Sequence, residues 1–204
     1  MPTLFRRLTA ALVVVALGAV ALSGCKEPSP ASGNRVLLVG DSIFAASRDN
    51  LQNSLRDEGW DSIVQAQAGT AIQDWVPVIQ DAVETAGSPN IVVIELGTND
   101  CGTVACVDLT PHIDALMRQL AFADAVLWLN VQTDALIPDD PGYVNSEIEA
   151  AEHRFPNLFI VDMGGLFEGH DDWRKDGTHP NIVGSNEMVK LILDELEPFR
   201  PTAG

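Results

Sequence analysis

The chain has 204 residues, enough for one single-core domain once its ends are set aside. Its 12 Lys and Arg residues against 29 Asp and Glu residues give a net charge of -17. Nucleic acid and anionic lipid surfaces repel so acidic a protein, which excludes a nucleic-acid partner. Any membrane attachment is then expected to come from an anchor rather than from a basic patch.

The first 24 residues have the pattern of a secretory signal peptide. Arg6 and Arg7 precede an apolar stretch that ends in Leu22-Ser23-Gly24-Cys25. This ending resembles a bacterial lipobox, and the resemblance implies that Cys25 is the lipidated first residue of the mature protein. The protein would then be anchored to the cell membrane, outside the cytoplasm. An ordinary signal peptide cut nearby, or an uncleaved anchor, is the alternative.

Residues 25–33 contain Pro28, Pro30 and Gly33, a composition that predicts a flexible tether. The folded domain is therefore expected over residues 34–200. No internal repeat or second domain boundary is visible.

Within the domain, strand-like and helix-like segments alternate, as in a sheet built from βαβ units. The helix over 72–86 contains Pro77, so it either starts near that residue or is kinked there. The pattern predicts a three-layer α/β/α sandwich around a five-stranded parallel sheet. Strands are predicted over 35–40, 62–67, 91–96, 125–131 and 158–162. Helices are predicted over 45–58 and 72–86, from residue 110 onward, and over 142–154, and 163–180 is predicted as a loop. A last helix follows this loop and ends at about residue 197, with Ile182 and Val183 mostly facing inward.

Gly40-Asp41-Ser42-Ile43 lies on the turn between the first strand and the first helix. In an open α/β sheet, ligands bind at the carboxyl ends of strands and at the positive ends of helices. The simpler interpretation is that Asp41 or Ser42 only caps the helix. The rest of the chain favours the functional interpretation.

Unusual residues follow several of the predicted strands. Ser42 follows the first strand, Gly69 the second and Asn99 the third, while Asp176 and His179 lie on the loop after the fifth. Because the carboxyl ends of parallel strands converge on one edge, these five residues are expected to meet in one cleft.

Ester hydrolysis requires a nucleophile, a base, a group that orients the base, and donors for the oxyanion. Ser42 is the candidate nucleophile, His179 the base and Asp176 its orienting partner. The backbone N–H groups of Ser42 and Gly69 and the side-chain amide of Asn99 are the candidate oxyanion donors.

Four sequence blocks together resemble those of the SGNH hydrolases, the GDSL-type esterases and lipases. They are Gly40-Asp41-Ser42-Ile43, Gly69, Gly97-Thr98-Asn99-Asp100 and Asp176-Gly177-Thr178-His179-Pro180. The resemblance implies the same residue roles, a strand order of 2-1-3-4-5, and neither a metal nor an organic cofactor. Ile43 replaces the usual Leu, and the second block keeps little beyond Gly69.

Cys101 and Cys106 lie five positions apart in a glycine-containing loop, and a secreted protein keeps disulfides. They are predicted to be bridged, because two cysteines without nearby partners fall short of the four ligands of a metal site. His112 and His153 are interpreted as surface residues. His170 lies on a loop that leads into the predicted site and is a candidate for lining the cleft.

The sequence thus predicts a serine esterase for short acyl groups, such as acetyl, carried by a small molecule or by an envelope sugar. The short-acyl preference follows from the small domain and from a short connection after the third strand, which leave little room for a lid. An O-acyltransferase with the same residues is one alternative. A non-catalytic lipoprotein that binds a glycan or a protein is another.

Overall fold

A computed structural model describes residues 27–101, 106, 108–135, 137 and 139–202. Five parallel strands form one sheet in the order β2-β1-β3-β4-β5, which confirms the predicted topology. In chain order the elements are β1 (Arg35–Gly40), α1 (Ser42–Asp57), β2 (Asp61–Ala66), α2 (Ile72–Trp75), α3 (Ile79–Thr85), β3 (Ile91–Glu95), α4 (Thr110–Gln119), β4 (Ala125–Leu129), α5 (Pro141–Glu152), β5 (Leu158–Val161), α6 (Met163–Phe167) and α7 (Ile182–Leu196), with 3-10 turns at Asp171–Trp173 and Glu197–Phe199.

The inner strands β1, β3 and β4 are mostly apolar and buried because the sheet is covered on both faces. Successive side chains of a strand point to opposite faces, so β1 places Leu37 and Val39 on one side and Val36 and Leu38 on the other. Helices α2 to α5 cover the first face, and α1, α6 and α7 cover the second. Burying each such side chain stabilises the fold by about 1.5–3 kcal/mol.

The predicted helix over 72–86 is two helices, α2 and α3. Pro77 lies between them and lacks the N–H that a continuous helix requires at that position. The break leaves Val78 partly exposed at the turn.

The loop predicted over 163–180 contains a helix and a 3-10 turn, so that prediction is wrong in part. Helix α6 begins after Asp162, whose carboxylate accepts the N–H of Gly165 at 2.9 Å. The sequence does not predict this helix because it contains Gly164 and Gly165, and glycine is a poor helix former.

The first turn of α7 also differs from its prediction. Ile182 is 82% exposed and Val183 51% exposed, although both were predicted to face inward. Asn181 caps this turn by accepting the N–H groups of Val183 and Gly184. The buried positions of α7 begin only at Gly184.

The end of the predicted tether is fixed to the domain. The N–H of Ala31 donates to the carbonyl of Phe199 at 2.9 Å, and Ala31 is buried. Both the N–H and the hydroxyl of Ser32 donate to the Asp124 carboxylate at 2.6 Å. Ala31 and Ser32, which were predicted to belong to the tether, are therefore fixed to the domain by these contacts.

The predicted signal peptide over 1–24 and the predicted lipidation site Cys25 lie outside the described residues. In the part of the chain that the structure does describe, no helix has both the length and the apolar character needed to span a membrane.

Candidate active site

Ser42 is the first residue of α1, immediately after the turn that follows β1. Asp41 caps the helix: its carboxylate accepts the N–H of Ile43 at 2.9 Å. The cap places Ser42 at the positive end of the helix dipole, where a developing negative charge is stabilised. As the first N–H of α1, the backbone N–H of Ser42 has no acceptor within the helix.

A tight turn presents His179 to Ser42. Arg174 and Pro180 form an isolated antiparallel bridge, and the N–H of Lys175 donates to the carbonyl of His179 at 2.9 Å. Gly177 lies inside this turn at a φ of +80°, in the left-handed region that glycine adopts most easily.

The hydroxyl of Ser42 and the ring of His179 are joined by a hydrogen bond of 2.8 Å between Oγ and Nε2. The other ring nitrogen, Nδ1, lies 2.9 Å from Oδ2 and 3.0 Å from Oδ1 of Asp176. Since a carboxylate only accepts, Nδ1 carries the proton and Nε2 is free to accept one from Ser42. The structure thus brings Ser42 together with His179 and Asp176, two neighbouring residues that lie far from it in sequence.

Asp176 remains ionised at this position. Its carboxylate accepts the backbone N–H of His179 at 2.8 Å, and this bond is the main reason that its pKa is lowered. Burial opposes the shift, while the His179 ring and the N–H of Thr178 add to it. The side chains of His179 and Asp176 are 29% and 49% exposed, so solvent reaches the pair.

The side-chain amide of Asn99 lies close to the same turn. Its Nδ2 donates to Oδ2 of Asp41 at 2.8 Å and to the carbonyl of Thr70 at 3.0 Å. Both amide hydrogens therefore have acceptors in this structure.

Gly69 belongs to an exposed turn in which the N–H of Thr70 donates to the carbonyl of Gln67 at 3.4 Å. Its φ is +78°, and a Cβ at this position would meet no atom within 4 Å. The position thus favours glycine for its backbone conformation rather than for space. Within the described part of the chain, the N–H of Gly69 has no acceptor.

Asp100 braces the loop that carries Asn99. Both of its carboxylate oxygens lie 3.1 Å from the N–H of Ile72. Burial, with smaller contributions from Asp41 and Asp74, raises the pKa of Asp100 to about 6, although the Ile72 bond opposes the shift.

The predicted disulfide is present between Cys101 and Cys106. Cys101 is buried, and its carbonyl accepts the N–H of Asp139 at 2.7 Å, so this loop is tied to the segment before α5. Among the described residues, no group of three or more His, Cys, Asp or Glu side chains is arranged to hold a metal ion.

The other histidines lie outside the hydrogen-bonded set. His170 stacks on Trp173, with ring centroids 3.8 Å apart and planes 14° from parallel. His112 lies in the first turn of α4 and His153 at the end of α5.

Two buried residues beside the site were missed by the sequence analysis. Arg174 holds the segment before the His179 turn, and Glu95 lies directly behind Asp41. A signal for Glu95 was available, since it is the only charged residue in the apolar strand β3. The sequence contains no comparable signal for Arg174, because this residue lies in a loop with several other charged residues.

Comparison with known proteins adds a family and a fold. Residues 38–185 match the model of the GDSL-like Lipase/Acylhydrolase family, which spans more than half of the chain. No curated protein matches the sequence.

Several solved structures share the fold. TesA is 24% identical, with a TM-score of 0.67 over 80% of this chain and 98% of that one. The acetyl xylan esterase AlAXEase is 17% identical, with a TM-score of 0.66 over 79% and 98%. The C-terminal catalytic domain of Streptococcus pneumoniae peptidoglycan O-acetyltransferase A is 15% identical, with a TM-score of 0.64 over 83% and 94%. At these identities the likeness concerns the fold.

Proposed function

The chain belongs to the GDSL-like lipase/acylhydrolase family, a family of esterases and acylhydrolases, and from this premise we propose that it is a serine esterase that removes short acyl groups from sugar hydroxyls of the cell envelope. The observation that carries the proposal is the hydrogen-bonded series from Ser42 through His179 to Asp176.

In the first half of the reaction, Oγ of Ser42 attacks the ester carbonyl carbon while its proton passes to Nε2 of His179. Asp176 holds the ring and stabilises the imidazolium that forms. The negative charge on the carbonyl oxygen is stabilised by the N–H groups of Ser42 and Gly69 and by the Asn99 amide, where one donor typically contributes about 3–4 kcal/mol.

Collapse of this intermediate breaks the bond to the alcohol oxygen, which takes the proton from His179 and leaves. The acyl group remains on Oγ of Ser42 as an ester. A water molecule then gives a proton to Nε2 and attacks the acyl carbon, and the carboxylic acid departs as Oγ recovers its proton. No cofactor is needed for these steps.

Three observations support a short acyl group. The partly exposed side chains of His179 and Asp176 place the reacting atoms near solvent rather than inside a long apolar channel. The loop after β3 is tied to its surroundings through Asp100 and Cys101, which leaves its described part little freedom to act as a lid. Two of the proteins with this fold are named for acetyl groups.

The test is hydrolysis of p-nitrophenyl acetate, butyrate and octanoate by the purified protein, with an organophosphonate label for the nucleophile. Ser42→Ala should lose both turnover and labelling, because it removes the attacking oxygen. The matched control is Ser54→Ala, on the same helix three turns away, which should keep both. If the folded wild-type protein neither hydrolyses these esters nor reacts with the label, the proposed esterase activity is wrong. A preference for octanoate would contradict the proposed specificity for short acyl groups.

The likeness to the O-acetyltransferase domain supports one alternative, transfer of the acyl group to a sugar hydroxyl instead of water. The exposure of His179 and Asp176 favours hydrolysis, because water reaches the acyl-enzyme. Adding a chitooligosaccharide acceptor to the acetate assay separates the two. Acetylated sugar formed at the expense of free acetate would identify a transferase.

We also propose that Cys25 carries the lipid that holds the protein at the bacterial membrane. The contacts of Ala31 and Ser32 support an anchored arrangement. Ser32 binds Asp124 immediately before β4, so the chain enters the domain at the amino ends of the strands. Ser42 lies at the carboxyl ends of the strands, on the opposite side of the domain, and would therefore face away from the membrane. Labelling with palmitate in a bacterial host should depend on Cys25 and vanish in Cys25→Ala.

A further inference from the structure

Glu95, the last residue of β3, carries a carboxyl group in the middle of the fold. It is 0% exposed and pairs in register with Gly40, directly before the Ser42 turn. Neither of its carboxyl oxygens has a hydrogen-bond donor within normal geometry in the described part of the chain. An ionised carboxylate at such a position would be highly unfavourable, so this group is held neutral or shares its charge.

Asp41 is the carboxyl group that Glu95 faces. It is also 0% exposed, its backbone N–H donates to the Glu95 carbonyl at 3.2 Å, and the two carboxyl groups influence each other electrostatically. Two buried carboxyl groups can form a hydrogen bond only when one of them carries a proton. Asp41 already accepts the N–H of Ile43 at 2.9 Å and the amide of Asn99 at 2.8 Å, so it is the acceptor and Glu95 is the donor.

The electrostatics agree with this assignment. Burial, and next the charge of Asp41, raise the pKa of Glu95 well above its ordinary value. Burial also raises the pKa of Asp41, but hydrogen bonds from Glu95, Ile43 and Asn99 and the charge of His179 oppose that shift. Within this pair, Glu95 is therefore the weaker acid and the one that holds the proton, while Asp41 is the stronger acid.

We propose that Glu95 is a positioning residue: as a protonated acid it donates to Asp41, and the Asp41 anion in turn holds the Asn99 amide in place for the oxyanion. The proposal rests on the proposed function, in which Asn99 is an oxyanion donor. It adds Asp41 and Glu95 to the site without giving either of them contact with the substrate.

The two acceptors of the Asn99 amide are unequal. The bond to Asp41 is charge-assisted and shorter, whereas the bond to the Thr70 carbonyl is neutral and 3.0 Å long. When the oxyanion forms, the hydrogen held by Thr70 is the one released to it, while the bond to Asp41 keeps the amide aligned. Protonation of Asp41 would weaken that alignment.

The charged groups that face Asp41 come from three segments. They are Glu95 at the end of β3, Asp100 on the following loop and His179 on the catalytic turn. A pH profile must therefore be read by comparing variants, because all three groups act on Asp41.

The test compares Glu95→Gln with Glu95→Met in the purified protein. Met matches the size of Glu but has no donor, so kcat is expected to fall on the order of 100-fold, with KM little changed. Gln presents an N–H₂ in place of the acid O–H, so it should restore kcat to within about threefold of wild type.

A purely structural role predicts a different result. Replacing a buried acid by Met would leave the fold at least as stable, and kcat would follow stability rather than hydrogen bonding. The proposal is overturned if Glu95→Met keeps its kcat, or if Glu95→Gln loses as much as Glu95→Met.

Infrared spectroscopy tests the proton independently of activity. Wild type at pH 7 should show the C=O stretching band of a protonated carboxylic acid, and Glu95→Gln should lack it. If the wild-type protein has no esterase activity and this band is present, the proposed function fails while the proton on Glu95 stands. If activity is present and the band is missing, the proposal for Glu95 fails alone.

Discussion

Asp176 and Glu95 are acidic residues of the same site, yet their surroundings give them opposite protonation behaviour. Asp176 is half exposed and accepts backbone N–H groups and the His179 ring, which lower its pKa. Glu95 is fully buried beside another carboxyl group, which raises its pKa. The roles proposed for them follow from this difference: an ion orients the base, and a neutral acid donates a hydrogen bond.

Asp176→Asn tests whether the carboxylate of Asp176 orients the His179 ring. Asparagine keeps an oxygen for the backbone N–H of His179, so the turn should persist, but its N–H₂ group facing Nδ1 favours the wrong ring tautomer. We expect kcat for p-nitrophenyl acetate to fall by about 10³–10⁴-fold, with an unchanged circular dichroism spectrum. Near-normal kcat in this variant would remove Asp176 from the mechanism.

At the scale of elements, Arg174 joins the loop after β4 to the segment before α7. Its side chain is 1% exposed, and its guanidinium donates to Gln132 at 2.6 Å and to the Phe167 carbonyl at 3.1 Å. It also forms ion pairs with Asp134 and, at 2.8 Å, with Asp171. Because Arg174 forms one side of the bridge that closes the His179 turn, its contacts help to set the position of His179.

The element-scale prediction is the effect of Arg174→Met on stability and activity. Removing the guanidinium leaves Gln132 and the Phe167 carbonyl without this donor, so the free energy of unfolding should fall by about 1–3 kcal/mol for each buried acceptor left unsatisfied. The loss should appear in urea denaturation, together with a reduced kcat/KM. Arg154→Met, which removes a more exposed pair with Asp114, should change stability by less than about 1 kcal/mol. Equal effects of the two substitutions would contradict a buried anchoring role.

At the scale of the whole molecule, stability is expected to depend on pH through buried acids. The folded state raises the pKa of Asp100 from 3.8 to about 6, and burial raises that of Glu95 as well. The folded protein binds these protons more tightly than the unfolded chain does. The stabilisation is therefore present in full below the unfolded pKa and is lost as the pH rises through the folded pKa.

The whole-molecule prediction isolates this effect with Asp100→Asn. Between about pH 4.5 and about pH 7.5, the Asp100 contribution to the free energy of unfolding should decrease by about 2 kcal/mol. Urea denaturation at both pH values should show that Asp100→Asn lessens the decrease by this amount. The exposed residue Asp49 provides the control, and Asp49→Asn should leave the decrease unchanged. If Asp100→Asn shows the same decrease as the wild type, the decrease comes from other groups.

The fold was predictable because its signals are local. Strands β1, β3, β4 and β5 are short, mostly apolar runs closed by a polar or glycine turn, and Pro77 marked the break between α2 and α3. The prediction failed for α6, where Gly164 and Gly165 suppress the local helix signal that the Asp162 cap and burial overcome.

Part of the candidate site was predictable for the same reason. Ser42 and Asn99 each follow a strand, and parallel strands direct their carboxyl ends to one edge. The sequence by itself therefore determined the α/β class, the strand order through its resemblance to a family, and the edge at which the site residues were expected.

Only the tertiary structure decided which groups touch. The burial of Glu95 against Asp41, the two acceptors of the Asn99 amide, and the enclosure of Arg174 join segments that lie far apart in the chain. Hydrogen bonding and protonation depend on distance and on exclusion of water, and both are set by packing between elements. A pattern along one segment cannot specify them.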